Sequence, residues 1–150
     1  MSLLSSASGA SAWRGYSYFK EKKVLTLESL GDMRFKGIVA GSRKEPYTVI
    51  IDLEHLRQSS CNCPHANGKR IICKHMVATF FAAFPQEAKK FYDDAVKQEE
   101  DWELYQEELT DKLVKYVRGL KKKDAQDKLL EVLELGPEWL WERFIRDNIE

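Results

Sequence analysis

Three cysteines are the whole thiol complement of this 150-residue chain, and an odd number cannot close into a disulfide framework. Two of them, Cys61 and Cys63, lie one residue apart, which further favours a reducing, cytoplasmic setting. Long apolar runs are also missing. No stretch approaches the roughly 20 residues that cross a bilayer as a helix, so no membrane partner is expected. The opening MSLLSSASGAS carries no basic leader, and residues 1–10 read as a disordered end. Net charge is absent too, since 24 basic side chains balance 24 acidic ones. No phosphate-cradling glycine loop is present, because Gly41-Ser42-Arg43-Lys44 lacks the required spacing.

What remains is an ordinary globular composition, 43% apolar and 32% charged, enough for one or two small units with a core. The zero charge hides an asymmetry. Residues 1–85 hold 12 basic against 6 acidic residues, and residues 86–150 hold 12 against 18. A basic half at +6 is joined to an acidic half at −6, which suggests different partners for the two, or contact between them.

The cysteines sit in one stretch, SCNCPHANGKRIICKHMVATFFAAF, from Ser60 to Phe84. Cys61 and Cys63 form a Cys-x-Cys pair; nine residues later Cys73 and His75 form Cys-x-His. Thiolate sulfur and imidazole nitrogen together suit zinc, which takes four such ligands in a tetrahedron at about 2.0–2.3 Å. Pro64 sets the exit direction, and Asn67-Gly68 supplies a turn that returns the second pair. His65 is an alternative ligand, read here as a loop residue because Cys73-Lys74-His75 already supplies a fourth donor at a helix start. Free cysteines in a plain core would sit on apolar faces; these are flanked by Ser60, Asn62, Pro64 and Lys74.

These residues, CNCP and CKH followed by Val77-Ala78, resemble the SWIM-type zinc finger, whose pattern is Cys-x-Cys, a variable loop, then Cys-x-His. Upstream, Arg14-Gly15-Tyr16 through Tyr18, Gly37 to Ser42, and Tyr47 to Ile50 resemble the segments such proteins place before the finger, so the likeness spans residues 12–84. It implies one structural zinc ion on Cys61, Cys63, Cys73 and His75. It also implies a bacterial protein that contacts DNA or docks on a helicase-like ATPase, of which this chain would be the N-terminal part. Protein–protein contact is the alternative role associated with the family.

The expected fold class is α+β: a small antiparallel sheet, a zinc-bound loop and a helix, followed by an all-α region. The expected divisions are residues 1–10 as a disordered end, 11–85 as the finger domain and 86–150 as the helical region. In order, a helix over 11–23 capped by Ser11 precedes strands over 24–30, 34–40 and 47–53. A short fourth strand beside Cys61 and a helix over 74–84 complete the finger. Pro85 and Glu87 suit a helix start. Phe91, Ala95, Gln98, Trp102, Tyr105, Leu109, Leu113, Tyr116 and Leu120 then recur at helical steps, with a break expected near Glu99. On this spacing Trp102, Tyr105 and Tyr116 read as helix core. Asp124 with Asp127 reads as a capping box for the next helix, and Gly136-Pro137 ends it before a last helix over 139–149.

No catalytic residues are expected. A thiol enzyme needs one activated cysteine, a base and an orienting group, whereas here all three thiols belong to one cluster. Four protein ligands also close the tetrahedron, and a hydrolytic zinc keeps one position for water. The chain is therefore read as a binding module. Arg43 and Lys44 in the hairpin loop, Lys69 and Arg70 in the cysteine loop, and Lys74 between two ligands are the candidate nucleic-acid contacts, since phosphate recognition draws on such cations.

Overall fold

A computed structural model describes residues 3–149 of the chain. Among these the order is α1 (Gly9–Lys20), β1 (Val24–Gly31), β2 (Arg34–Val39), β3 (Tyr47–Asp52), β4 (Ser60–Cys61), α2 (Lys74–Ala83), α3 (Pro85–Gly119), α4 (Lys122–Leu135) and α5 (Glu138–Asn148). This is an α+β protein with a helical C-terminal region. Two compact units divide it between Val96 and Lys97.

In the first unit the four strands lie in sequence order, all antiparallel. Strand β3 explains the sheet's sidedness. Its Tyr47, Val49 and Ile51 are buried while Thr48 is exposed, the alternation of a half-covered sheet. Helix α2 lies on that face. From His75 to Phe81 every α2 residue is buried, because the helix meets the sheet on one side and α1 on the other. Two glycines permit the close approach. A Cβ on Gly37 of β2 would lie 2.6 Å from Thr79 Oγ1, and one on Gly15 of α1 would lie 2.5 Å from Val77.

Aromatic side chains fill the remaining gaps. Phe84 meets Phe35 edge-on at 5.3 Å between centroids, and Phe81 lies against Phe19 and Tyr16. The first turns of α3 join this unit, because Phe91 packs on Trp13 at 4.9 Å and Tyr92 stacks on Tyr16 at 5.6 Å.

Several local details differ from the sequence expectation. Helix α1 starts two residues earlier than predicted, and its cap is Ser8, whose Oγ accepts from Ser11 N at 3.2 Å. Within the segment expected to be disordered, Leu3 is fully buried, Leu4–Ser6 forms a short 3-10 turn and Ala7 bridges to Ile72. Burial of Leu3 supplies the hydrophobic gain that composition alone did not suggest; residues 1 and 2 lie outside the described residues. Helix α3 runs through Glu99 without a break, consistent with the lack of proline or glycine between Gln86 and Arg118.

The second unit, from Lys97, contains the rest of α3 with α4 and α5. Asp124 lies in the first turn of α4 rather than at its cap, which is Lys121 and makes no side-chain cap bond. Trp102, Tyr105 and Tyr116, predicted as helix core, are exposed. Helical spacing had placed them on one face; among the described residues no packing partner covers that face.

Candidate metal centre

Strand β4 delivers the first ligand pair. Extended backbone sends alternate side chains to opposite faces, so Cys61 and Cys63 turn inward together while Asn62 faces out. Asn62 fixes this register by its own ladder: Thr48 N donates to Asn62 Oδ1 at 2.9 Å, and Asn62 N donates to Thr48 O at 3.3 Å. The turn before β4 is held by Asp52, a buried carboxylate that accepts from His55 N at 2.6 Å and Glu54 N at 3.1 Å. Ser59 Oγ accepts in turn from Asp52 N at 3.0 Å.

After Cys63 the chain turns tightly. Cys63 O accepts from Ala66 N and Asn67 N, and Gly68 takes a positive φ of 70° that favours glycine. Cys73 then occupies the cap position of α2 and His75 its first turn. A cysteine just outside the helix and a histidine just inside it therefore reach one point.

That point is well defined. One ligand atom each from Cys61, Cys63, Cys73 and His75 lie within 4.8 Å of one another, and all four residues are buried. His75 Nδ1 lies 3.7 Å from Cys61 Sγ and 3.9 Å from Cys73 Sγ. A tetrahedron with bonds of about 2.0–2.3 Å has edges of roughly 3.3–3.8 Å, so the cluster needs only small adjustments to close on one ion. Three sulfurs and one imidazole form a donor set that can hold one zinc ion.

Packing orients the imidazole. His75 Nε2 is buried with no hydrogen-bond partner among the described residues, whereas ligating histidines usually donate that second N–H to a carboxylate or carbonyl. Here two rings do the orienting. Tyr47 lies over the imidazole at 4.4 Å between centroids, and Tyr18 meets it edge-on at 5.4 Å. Thr79 Oγ1 donates to His75 O at 2.9 Å and braces the same turn.

Cys61 and Cys73 shift one another in opposite directions. The hydrogen bond between them holds Cys73 well below the usual thiol range, aided by His75. The same bond, then burial, pushes Cys61 up. Metal ligation requires all three thiols deprotonated, so filling the site releases protons.

The five candidate cations are distributed unevenly. Lys74 lies over the Tyr18 ring at 4.5 Å and Arg43 over Tyr47 at 6.0 Å, each one aromatic ring away from His75. Arg70 lines a separate recess with Arg57. Lys44 and Lys69 are exposed, and the structure does not bring them to the centre. His65 is an exposed loop residue, as expected, and Arg14 stood outside the candidate set. Both line a cavity of about 210 Å³ with Ser11 and Lys74, beside Cys63, Cys73 and His75. The helical position of Arg14 gave no hint of this, since it depends on α1 lying against α2.

A buried three-cysteine, one-histidine cluster on a small sheet-and-helix unit defines a structural zinc-binding module. Residues 47–84 match the family model of the SWIM zinc finger, so the chain carries such a finger over β3, β4 and α2. The match covers 38 of the 150 residues, a narrower span than the likeness over residues 12–84. No curated protein and no solved structure matches the chain. Among the described residues, no helix is long and apolar enough to cross a membrane.

Proposed function

We propose that the zinc-held unit binds nucleic acid, with DNA as the ligand, through the basic rim of the metal centre. The supporting observation is the clustering of Arg14, His65 and Lys74 around the recess beside Cys63, Cys73 and His75, with Arg43 stationed over Tyr47. Guanidinium and ammonium groups on a metal-fixed frame suit phosphate oxygens, and the frame spares the ordering cost that a free loop would carry. Lys44, Lys69 and Arg70 add exposed positive charge on the loops of the same unit. In this reading Cys61, Cys63, Cys73 and His75 ligate the ion, and the protein is a non-catalytic module of the reducing cytoplasm. Residues 11–85 act as the finger domain and 86–150 as a helical region, within a bacterial protein working beside a helicase-like ATPase.

The test is a salt titration of DNA binding by the zinc-loaded chain. Log affinity should fall linearly with log salt, by about 0.9 per phosphate neutralised on duplex DNA. Charge reversal at Arg14, Arg43 and Lys74 should flatten that slope. No binding to single- or double-stranded DNA at about 50 mM salt would overturn the proposal. A second reading, a protein-contact module with the zinc unit as scaffold, is favoured by the exposed aromatic and leucine side chains beyond Lys97.

A further inference from the structure

Every residue of α3 from Lys97 to Gly119 is exposed, although the stretch is far from polar. Trp102, Tyr105, Leu109, Leu113, Tyr116 and Leu120 recur at steps of three and four residues. At 3.6 residues per turn they fall within about 80° of one another, a single stripe roughly 27 Å long. Trp102 is 61% exposed, Leu113 62% and Tyr116 57%. A helix gains most of its stability in water from packing such a face, and among the described residues nothing covers this one.

The charges on the same stretch are segregated. From Glu99 to Asp111 there are seven acidic residues and no basic one; from Lys112 to Lys123 there are six basic residues and no acidic one. The sign changes between Asp111 and Lys112, midway along the apolar stripe.

We infer that this face is a self-association surface, on which two copies pair their α3 helices antiparallel about a two-fold axis at Asp111. This develops the protein-contact reading and is independent of nucleic-acid binding. Parallel pairing would set seven acidic residues against seven, whereas antiparallel pairing sets each acidic half against a basic one. With the axis at Asp111, Leu109 of one copy meets Leu113 of the other and Tyr105 meets Tyr116, while Trp102 lies level with Leu120, just past the end of α3. On one flank of the stripe the charges match in the same register: Glu108 of one copy lies level with Lys112 and Lys115 of the other. A two-fold contact repeats each match, so one helix face supplies both halves of a closed interface.

Sedimentation of the zinc-loaded full chain between about 1 and 100 μM tests this. The expected result is a particle of twice the 17.4 kDa chain mass, weakening as salt rises. Leu109→Glu with Leu113→Glu should raise the dimer dissociation constant at least ~100-fold, since each substitution buries an unpaired charge twice. Circular dichroism should show the helices intact, because both leucines are exposed in the single chain. An acidic variant (Lys112→Glu with Lys115→Glu) and a basic variant (Glu108→Lys) should each be monomeric and should dimerise when mixed. A chain monomeric over the whole range would overturn the proposal, with a fold-back of α4 and α5 or a different protein then left to cover the stripe. Dimers unaffected by the leucine substitutions, or charge variants that fail to pair on mixing, would overturn it equally. None of these changes touches the finger, so DNA binding by its own assay stands or falls separately.

Discussion

The Tyr47 ring lies over the His75 imidazole, with centroids 4.4 Å apart and planes inclined at 32°. Because His75 Nε2 has no hydrogen-bond partner among the described residues, this contact and the edge of Tyr18 take over the orienting task that a carboxylate or carbonyl performs at most metal-bound histidines. Tyr47→Ala should therefore weaken zinc binding by roughly 10- to 100-fold, and Tyr47→Phe should leave it nearly unchanged. Competition against a chromophoric chelator measures both. Equal affinities for the alanine variant and the parent would show that the ring does not orient the ligand.

Removing the metal should unfold the first unit. Zinc contributes on the order of 10 kcal/mol in small fingers, comparable with the ~5–15 kcal/mol total stability of a whole domain. Cys73→Ser, or a strong chelator acting on the parent, should abolish the near-ultraviolet dichroism of the packed aromatics around Phe81. A metal-free chain with an unchanged spectrum would contradict the coupling.

Gly15 is required by the crossing of α1 over α2. Alanine normally favours a helix over glycine by up to ~1 kcal/mol. Here its Cβ would lie 2.5 Å from Val77 and 3.0 Å from Lys74 O, and overpacking costs about 1–3 kcal/mol. The clash should win, because Lys74 lies between two ligands and its carbonyl cannot retreat freely. Gly15→Ala should lower the melting temperature of the zinc-loaded protein; a rise would mean that the helices simply separate.

Asp52→Ala should destabilise by about 1–3 kcal/mol, since it strands two backbone N–H groups at the turn leading to Cys61. Asp52→Asn keeps an acceptor oxygen and should cost less. The Arg34 contact at 3.5 Å adds little to this difference, being half exposed. Denaturant melts of the two variants give the ordering directly, and equal costs would shift the weight from the hydrogen bonds to the charge.

Much of this was legible in the chain before any coordinates. The grouping of Cys61, Cys63, Cys73 and His75 was expected from residue types and spacing, and the structure brings the four together. The strands from Val24 to Asp52 and the helix after Cys73 followed from alternation and from an apolar run too short to span a membrane. The α3 stripe was equally visible as a periodicity.

Periodicity, however, states only which side chains share a face. Whether the face is covered depends on distant elements, so Trp102 and Tyr116 were read as core and are exposed, while Leu3 was assigned to a disordered end and is buried. The same limit hid Tyr47 and Tyr18 over His75, and Arg14 at the rim of the metal centre. Ligand identity is a property of residue types and local spacing, which the chain carries in one dimension. Second-layer packing is a property of how strands and helices meet across tens of residues, and only the tertiary structure decided it.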